Sequence, residues 1–244
     1  MLDTLPIASG VLYWGFVALP VVVAGAIVAA IFRTSGSAVG RVALVSVTLW
    51  MTLTGYLAEA RHLDVWSPPR MLAIPVLIIA GLIWSTRRSW STSLASLPLG
   101  LLVGFQSFRI LVELLLHRAV VEGVAHPTMT WSGTNWDIIP AVSALVLAPF
   151  ASGIDRRWLQ LWNLSMALVL VVTVLTAILA APTPFRRIMG QPANGFIAGF
   201  PFVWLPSVLV CSAWLGHLVL FLRLRSDLGR LNFDEVTRRG VSSS

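Results

Sequence analysis

The sequence predicts an all-α, polytopic membrane helix bundle, and three observations carry that expectation. Of 244 residues, 57% are hydrophobic and 11% charged, where a soluble domain carries about 25% charged residues. The apolar residues come in runs of roughly 20, the length that crosses a hydrocarbon layer. Arginines mark the gaps between those runs. One aqueous core cannot hide so much apolar surface, and no polar stretch is long enough to fold separately. The chain therefore reads as a transmembrane bundle over 1–222 followed by a polar, basic tail over 223–244 that is expected to fray.

The opening MLDTLPIASGVLYWG has no basic residue ahead of its apolar run, so Leu12–Phe32 reads as a retained first span and not as a cleaved signal. Further runs follow near 42–58, 66–84, 95–117, 136–153, 158–181 and 196–222. That gives about seven spans, or six if the third, crowded by Pro68, Pro69 and Arg70, does not cross. No internal repeat is evident. Eleven arginines fall on one side of this topology: Arg33, Arg41, Arg87, Arg88, Arg156, Arg157 and five in the tail. Five fall on the other: Arg61, Arg70, Arg118, Arg186 and Arg187. The richer side belongs in the cytoplasm. The expected arrangement is a multi-pass protein of the cell (inner or plasma) membrane, N-terminus outside and C-terminus cytoplasmic, with lipids as its first partners.

Composition also excludes chemistry. All 17 basic residues are arginine, and without lysine no Schiff base to retinal or pyridoxal can form. The lone Cys211 rules out an internal disulfide and any CxxC site. The pI of about 11.3 reflects arginines at span ends, which fits membrane topology and no nucleic-acid partner. There is no nucleophile elbow, phosphate loop, H-E-x-x-H or dinucleotide fingerprint.

The functional signal lies in GFQSFRILVELLLH (104–117). On an ideal helix Gln106, Arg109, Glu113 and His117 share an arc of about 80°. A charge at mid-bilayer costs on the order of 2.5–3.5 kcal/mol. Arg109 and Glu113 stand at i, i+4 and can neutralise each other. The stripe should face the bundle interior or a wet cavity. Tyr56 and Glu59 end the second run on the same side, Asn135 and Asp137 precede the fifth, and Asn194 precedes the seventh. Gly195, Gly199, Pro201 and Pro206 should break or kink that last helix, whose freed carbonyls then need protein or water. The expectation is a cavity reached from outside the cell, roofed by 118–135 and floored near Arg109. Asn163 and His217 fall in the cytoplasmic half.

The stretches FQSFRILVEL (105–114), MTWSGTNWDI (129–138), APTPFRRIMGQPAN (181–194) and GFPFVWLP (199–206) resemble those of a group of uncharacterised bacterial multi-span membrane proteins. The resemblance covers roughly residues 100–210. It implies a bacterial membrane protein and no particular reaction, and it transfers no site residues.

Each candidate also has a structural reading. Arg109 and Glu113 could lock the helix in place as a buried pair. His117 could be an interfacial ring, or exchange a proton with Glu113. Asn135 and Asp137 could cap the fifth helix, or with Arg109 hold an anionic group. Trp131, Trp136, Trp158 and Trp162 suit interfacial anchors. A metal set of Glu59, His62, Glu113, His117 and Asp137 can be drawn, but the E-x-x-H element occurs once where di-iron bundles use it twice, so no metal or other cofactor is assigned. Three functions follow. The favoured one is binding or carriage of a small polar or anionic ligand or ion by Gln106, Arg109, Glu113, His117, Asn135, Asp137, Asn194, Tyr56 and Glu59. The others are an intramembrane enzyme using Glu113, Asp137 and His117, and a structural or assembly subunit. The oligomeric state is left open.

Overall fold

The computed structural model describes residues 8–64, 89–241 and six positions between them (70, 73, 74, 77, 80 and 81), with side chains described over 8–64, at those six and over 92–228. Among the described residues the chain is helical throughout, without strands. Its elements are α1 (Gly10–Ser35), α2 (Ser37–Glu59), α3 (Ser89–Leu94), α4 (Leu99–Gly104), α5 (Arg109–Val121), α6 (Ile138–Leu147), α7 (Arg156–Ala180) and α8 (Cys211–Val241). Among the described residues four helical segments are long and apolar enough to cross a membrane: Gly10–Glu59, Leu99–Val121, Arg156–Ala180 and Leu205–Leu228. The third predicted span, 66–84, lies outside the described residues apart from those scattered positions.

The first segment folds back on itself. Gly36, at φ 84°, occupies backbone space that only glycine enters without strain, and it separates α1 from α2. Tyr13 near the start of α1 and Gly55 near the end of α2 both lie against the Phe200 ring, so the two arms run antiparallel. Helix α2 then ends in a Schellman turn: His62 N–H donates to Leu57 O, Arg61 N–H donates to Ala58 O, and Arg61 sits at φ 55°. Glycine is the usual residue at that position; here the Arg61–Asp64 ion pair of 2.7 Å accompanies the turn.

Three runs differ from the sequence expectation. Residues 95–117 do not form one uniform helix, because a 3₁₀ turn (Phe105–Phe108) joins α4 to α5. The fifth run yields only Ile138–Phe150 as a continuous apolar helix, about 20 Å at 1.5 Å per residue against roughly 30 Å of hydrocarbon. The last helix begins at Leu205 and not at 196, since Phe196–Ala198 is a single 3₁₀ turn followed by irregular backbone. It opens with a π-helical stretch, Leu205–Val210, before α8. The tail expected to fray stays helical to Val241, with Arg223 and Asp227 paired at i, i+4.

Packing forms three apolar clusters. The largest joins α1 (Leu12, Phe16, Leu19, Val23), α5 (Val112, Leu116, Ala119) and the Phe196–Leu209 region. A second brings Leu99, Leu102 and Val103 of α4 against Leu220 and Leu224 of α8. Helix α7 stands at the periphery, with only 17% of its apolar window buried.

The N-terminal end of α1 is fastened to the end of α5. Ser9 caps α1 by accepting from Leu12 N–H, and Glu122 accepts from both Ser9 N (2.9 Å) and Ser9 Oγ (2.6 Å). The Ser9 bonds, with Arg118 adding to them, hold the Glu122 carboxyl below its ordinary range. A carboxylate so depressed contributes stability in full above the unfolded value near 4.3, and loses it as the pH falls through the lower folded value. Glu122→Ala should therefore lower the thermal midpoint in detergent at neutral pH by a degree or two. That gap between variant and wild type should narrow as the pH is taken well below about 4.

Candidate functional site

The bundle interior holds a polar network whose centre is Arg109, 1% exposed. Its partner is not Glu113, as the i, i+4 spacing predicted, but Asp137. Arg109 Nε donates to Asp137 Oδ2 at 2.7 Å and Nη2 donates to Asp137 Oδ1, a two-pronged ion pair. The reason is geometric. Asp137 lies at the start of α6 and presents both oxygens to the flat guanidinium fork, whereas a glutamate one turn along the same helix meets it obliquely. The third nitrogen, Nη1, approaches His217 Nε2 at 3.3 Å.

His217 is held from its other side. Its Nδ1 lies 2.8 Å from Asn163 Oδ1, and Asn163 Nδ2 donates to His217 O at 3.0 Å. Since guanidinium only donates, Nε2 must accept, so Nδ1 carries the proton and gives it to Asn163. Asn163 and His217, assigned by the sequence reading to a separate cytoplasmic half, thus belong to the same network.

The 3₁₀ turn ahead of α5 accounts for Gln106. At three residues per turn, Gln106 eclipses Arg109, so both reach the Ala213–His217 face of α8. Gln106 Nε2 donates to Ala213 O at 3.0 Å. The close approach depends on Gly216, where any side chain would collide with Gln106 and Phe105.

Glu113 is 0% exposed and faces the loop before α6. Asn135 Nδ2 donates to Glu113 Oε1 at 2.6 Å and to Met129 O at 3.0 Å. Asn135 Oδ1 accepts from Asp137 N–H and from Thr173 Oγ1, both at 3.0 Å. Asn135 therefore caps the chain entering α6, and Asp137, at the cap position itself, makes no capping bond. Thr173 also reaches Asp137 Oδ1 at 3.3 Å. Thr173 escaped the sequence reading because a threonine in an apolar run carries no signal by itself. Glu113 Oε2 has no partner.

Beside this network lies a cavity of about 110 Å³, which Arg109, Glu113, Asn135, Asp137 and Thr173 border on one side. Its other walls are largely apolar, built from Val112 and Leu116 of α5, Leu170, Val174 and Ile178 of α7, and Leu205, Leu209 and Val210 of the π stretch, with Thr183 the polar exception. Val174, Ile178, Pro206 and Val210 remain half-exposed along its rim. The 118–135 loop contributes through Met129 and Asn135, and Arg109 lies on the wall. The walls are mainly hydrocarbon, which a pocket for a small ion would not need.

The broken helix is satisfied by protein. Trp50 Nε1 donates to Ser207 O at 2.8 Å, Cys211 Sγ lies 3.0 Å from the same oxygen, and Trp204 Nε1 donates to Met51 O at 3.1 Å. Pro206 lacks the N–H that would continue the helical ladder.

Five predicted site residues do not border this cavity. Asn194 closes the end of α7, its N–H donating to Ala180 O and its Nδ2 to Ala177 O. His117 is stacked on Trp131 with ring centroids 4.5 Å apart. Tyr56, 65% exposed, and Glu59 border a separate shallow surface with Tyr13 and Trp204. Gln106 backs the site through Ala213 without facing the cavity. Nor does the drawn metal set assemble: Glu59 and His62 are exposed while Glu113 is sealed. Among the described residues no three His, Cys, Asp or Glu side chains converge.

No protein-family model, curated protein or solved structure matches the chain.

Breaking one side of a buried pair leaves a lone charge in low dielectric and costs about 3–5 kcal/mol, whereas replacing both sides by apolar groups costs far less. Asp137→Ala should therefore destabilise the protein by roughly that amount in denaturant titration. Arg109→Met combined with Asp137→Leu should recover most of the loss, and equal loss in the single and double variants would contradict the pairing.

Proposed function

We propose that this is a multi-pass membrane protein that binds, and in its cellular setting carries or senses, a lipid-soluble molecule taken into the cavity between α5, α7 and the π stretch. The seven-span arrangement, N-terminus outside and C-terminus cytoplasmic, remains the topology favoured by arginine placement, with the bacterial inner membrane as its location. The resemblance to uncharacterised bacterial membrane proteins points the same way.

One observation carries the reading: a largely apolar cavity whose charged groups, Arg109, Glu113 and Asp137, belong to a single network. Water-soluble ions and small anions gain nothing from leucine and valine walls. A molecule with a hydrocarbon body and a single polar end fits both parts. The half-exposed rim lies on segments apolar enough to span a membrane, so entry from the side, out of the bilayer, suits it better than entry from outside the cell. The network of polar residues reads as an anchor for one end of the ligand.

The size agrees. An engineered apolar cavity of about 150 Å³ in another protein holds benzene, so this one takes a ring or several methylenes, with the remainder of a longer ligand lying past the rim. Binding is favoured over acid–base chemistry because Asp137 is occupied by Arg109 and Thr173, and because His117 is stacked on Trp131.

Octan-1-ol should raise the thermal midpoint of the purified protein in detergent, saturably. Val174→Trp, which places an indole at the rim of the cavity, should abolish that rise while leaving the stability of the unliganded protein within about 1 kcal/mol of wild type. A rise of equal size in both proteins would show that the alcohol acts elsewhere, and the proposal would fall.

A further inference from the structure

We infer that the polar end of the ligand is a protonated amine, received by the free oxygen of Glu113. This rests on the cavity being the ligand site, as proposed above.

The argument is a balance of charge and hydrogen bonds among sealed groups. Among the described residues lining the cavity Arg109 is the single guanidinium, and its three nitrogens are turned to Asp137 and His217. No cation is left over to attract an anion. Asp137 is likewise engaged, both oxygens meeting Arg109 and Oδ1 also meeting Thr173. His217 accepts from Arg109 through Nε2, so it adds no positive charge. His117, one turn beyond Glu113, lies flat on Trp131.

That leaves Glu113. Oε1 receives Asn135 Nδ2, while Oε2 is fully buried, unpartnered and on a residue of the cavity wall. A buried acceptor without a donor is costly, and a buried carboxylate without a counter-charge more so. The wall thus presents two carboxyl groups to one guanidinium, and Glu113 Oε2 is the place where a further proton-bearing group would be met. An ammonium at the end of an aliphatic chain supplies it: three N–H donors on a compact cation, as on lysine. A carboxylate or phosphate head would meet Glu113 as a like charge and find no free cation. A neutral alcohol supplies the donor but not the charge, so it belongs between them in affinity.

The test compares octylamine, octan-1-ol and octanoate, identical in chain length, on the purified protein near neutral pH. Affinities come from the concentration dependence of the thermal midpoint, with Val174→Trp as the control for uptake into detergent. Octylamine should bind on the order of tenfold more tightly than octan-1-ol, and octanoate most weakly. In Glu113→Gln, which keeps the size and the acceptor for Asn135, the advantage of the amine over the alcohol should vanish while the alcohol still binds. Octanoate equal to or better than octylamine would overturn the inference, as would an amine advantage that survives Glu113→Gln. If that variant does not fold, the order of the three head groups on the wild type decides by itself. Failure of octan-1-ol to act through the cavity would instead remove the pocket reading, so the two failures are distinguishable.

Discussion

The structure depends on the ion pair between Arg109 and Asp137. A guanidinium sealed among apolar helices is tolerable only when its charge and all its donors are met, and meeting them draws four segments together. Asp137 comes with the loop entering α6, Thr173 with α7, His217 with α8, and Asn163 with α7 again through His217. Hydrophobic contact inside a lipid layer offers little preference for one helix arrangement over another, because the surrounding chains are equally apolar. Directional bonds to a rigid planar cation supply that preference.

Glu113 acquires its character from this arrangement. Had it been the partner of Arg109, that pair would have been self-contained on one helix and Asp137 would have been the carboxyl left over. With Asp137 taking the arginine, Glu113 gives one oxygen to Asn135 and leaves the other without a partner. The two carboxyl groups, 24 positions apart in the chain, thus differ in kind: both oxygens of Asp137 are met, and only one of Glu113 is.

The helical class and the importance of the 106–117 stripe were legible because charge within an apolar run is costly and therefore informative. Asn135 and Asp137 were legible for the same reason, standing just ahead of such a run. The pairing was not. Periodicity says which residues share a face of one helix, and Glu113 was the only acid that rule could offer Arg109; the loop geometry that delivers Asp137 has no signature in spacing. The 3₁₀ turn at Phe105–Phe108 was hidden too, and it re-aims Gln106 towards Ala213. Asn163 and His217 were visible as polar interruptions but were sorted by depth along ideal straight spans, while the real chain brings them to Arg109. Asn194 looked like a ligand group because it opens a run, yet its work is to close α7. Breakage of the last helix was readable from Pro206, but not the indoles of Trp50 and Trp204 that bridge the π stretch and α2.

Gly216 gives this architecture an evolutionary consequence. Its α-carbon lies so near Gln106 and Phe105 that even a methyl group has no room, and the histidine beside it in sequence is bonded on both ring nitrogens. Along the outward side of α7, by contrast, one aliphatic residue serves as well as another. Lineages descended from a common ancestor would therefore blur quickly over most of their length and stay sharp at a few spaced letters: Gln-x-x-Arg-x-x-x-Glu, Asn-x-Asp and Gly-His. Kinship for a chain of this kind should be sought in that sparse pattern before it is sought in overall identity.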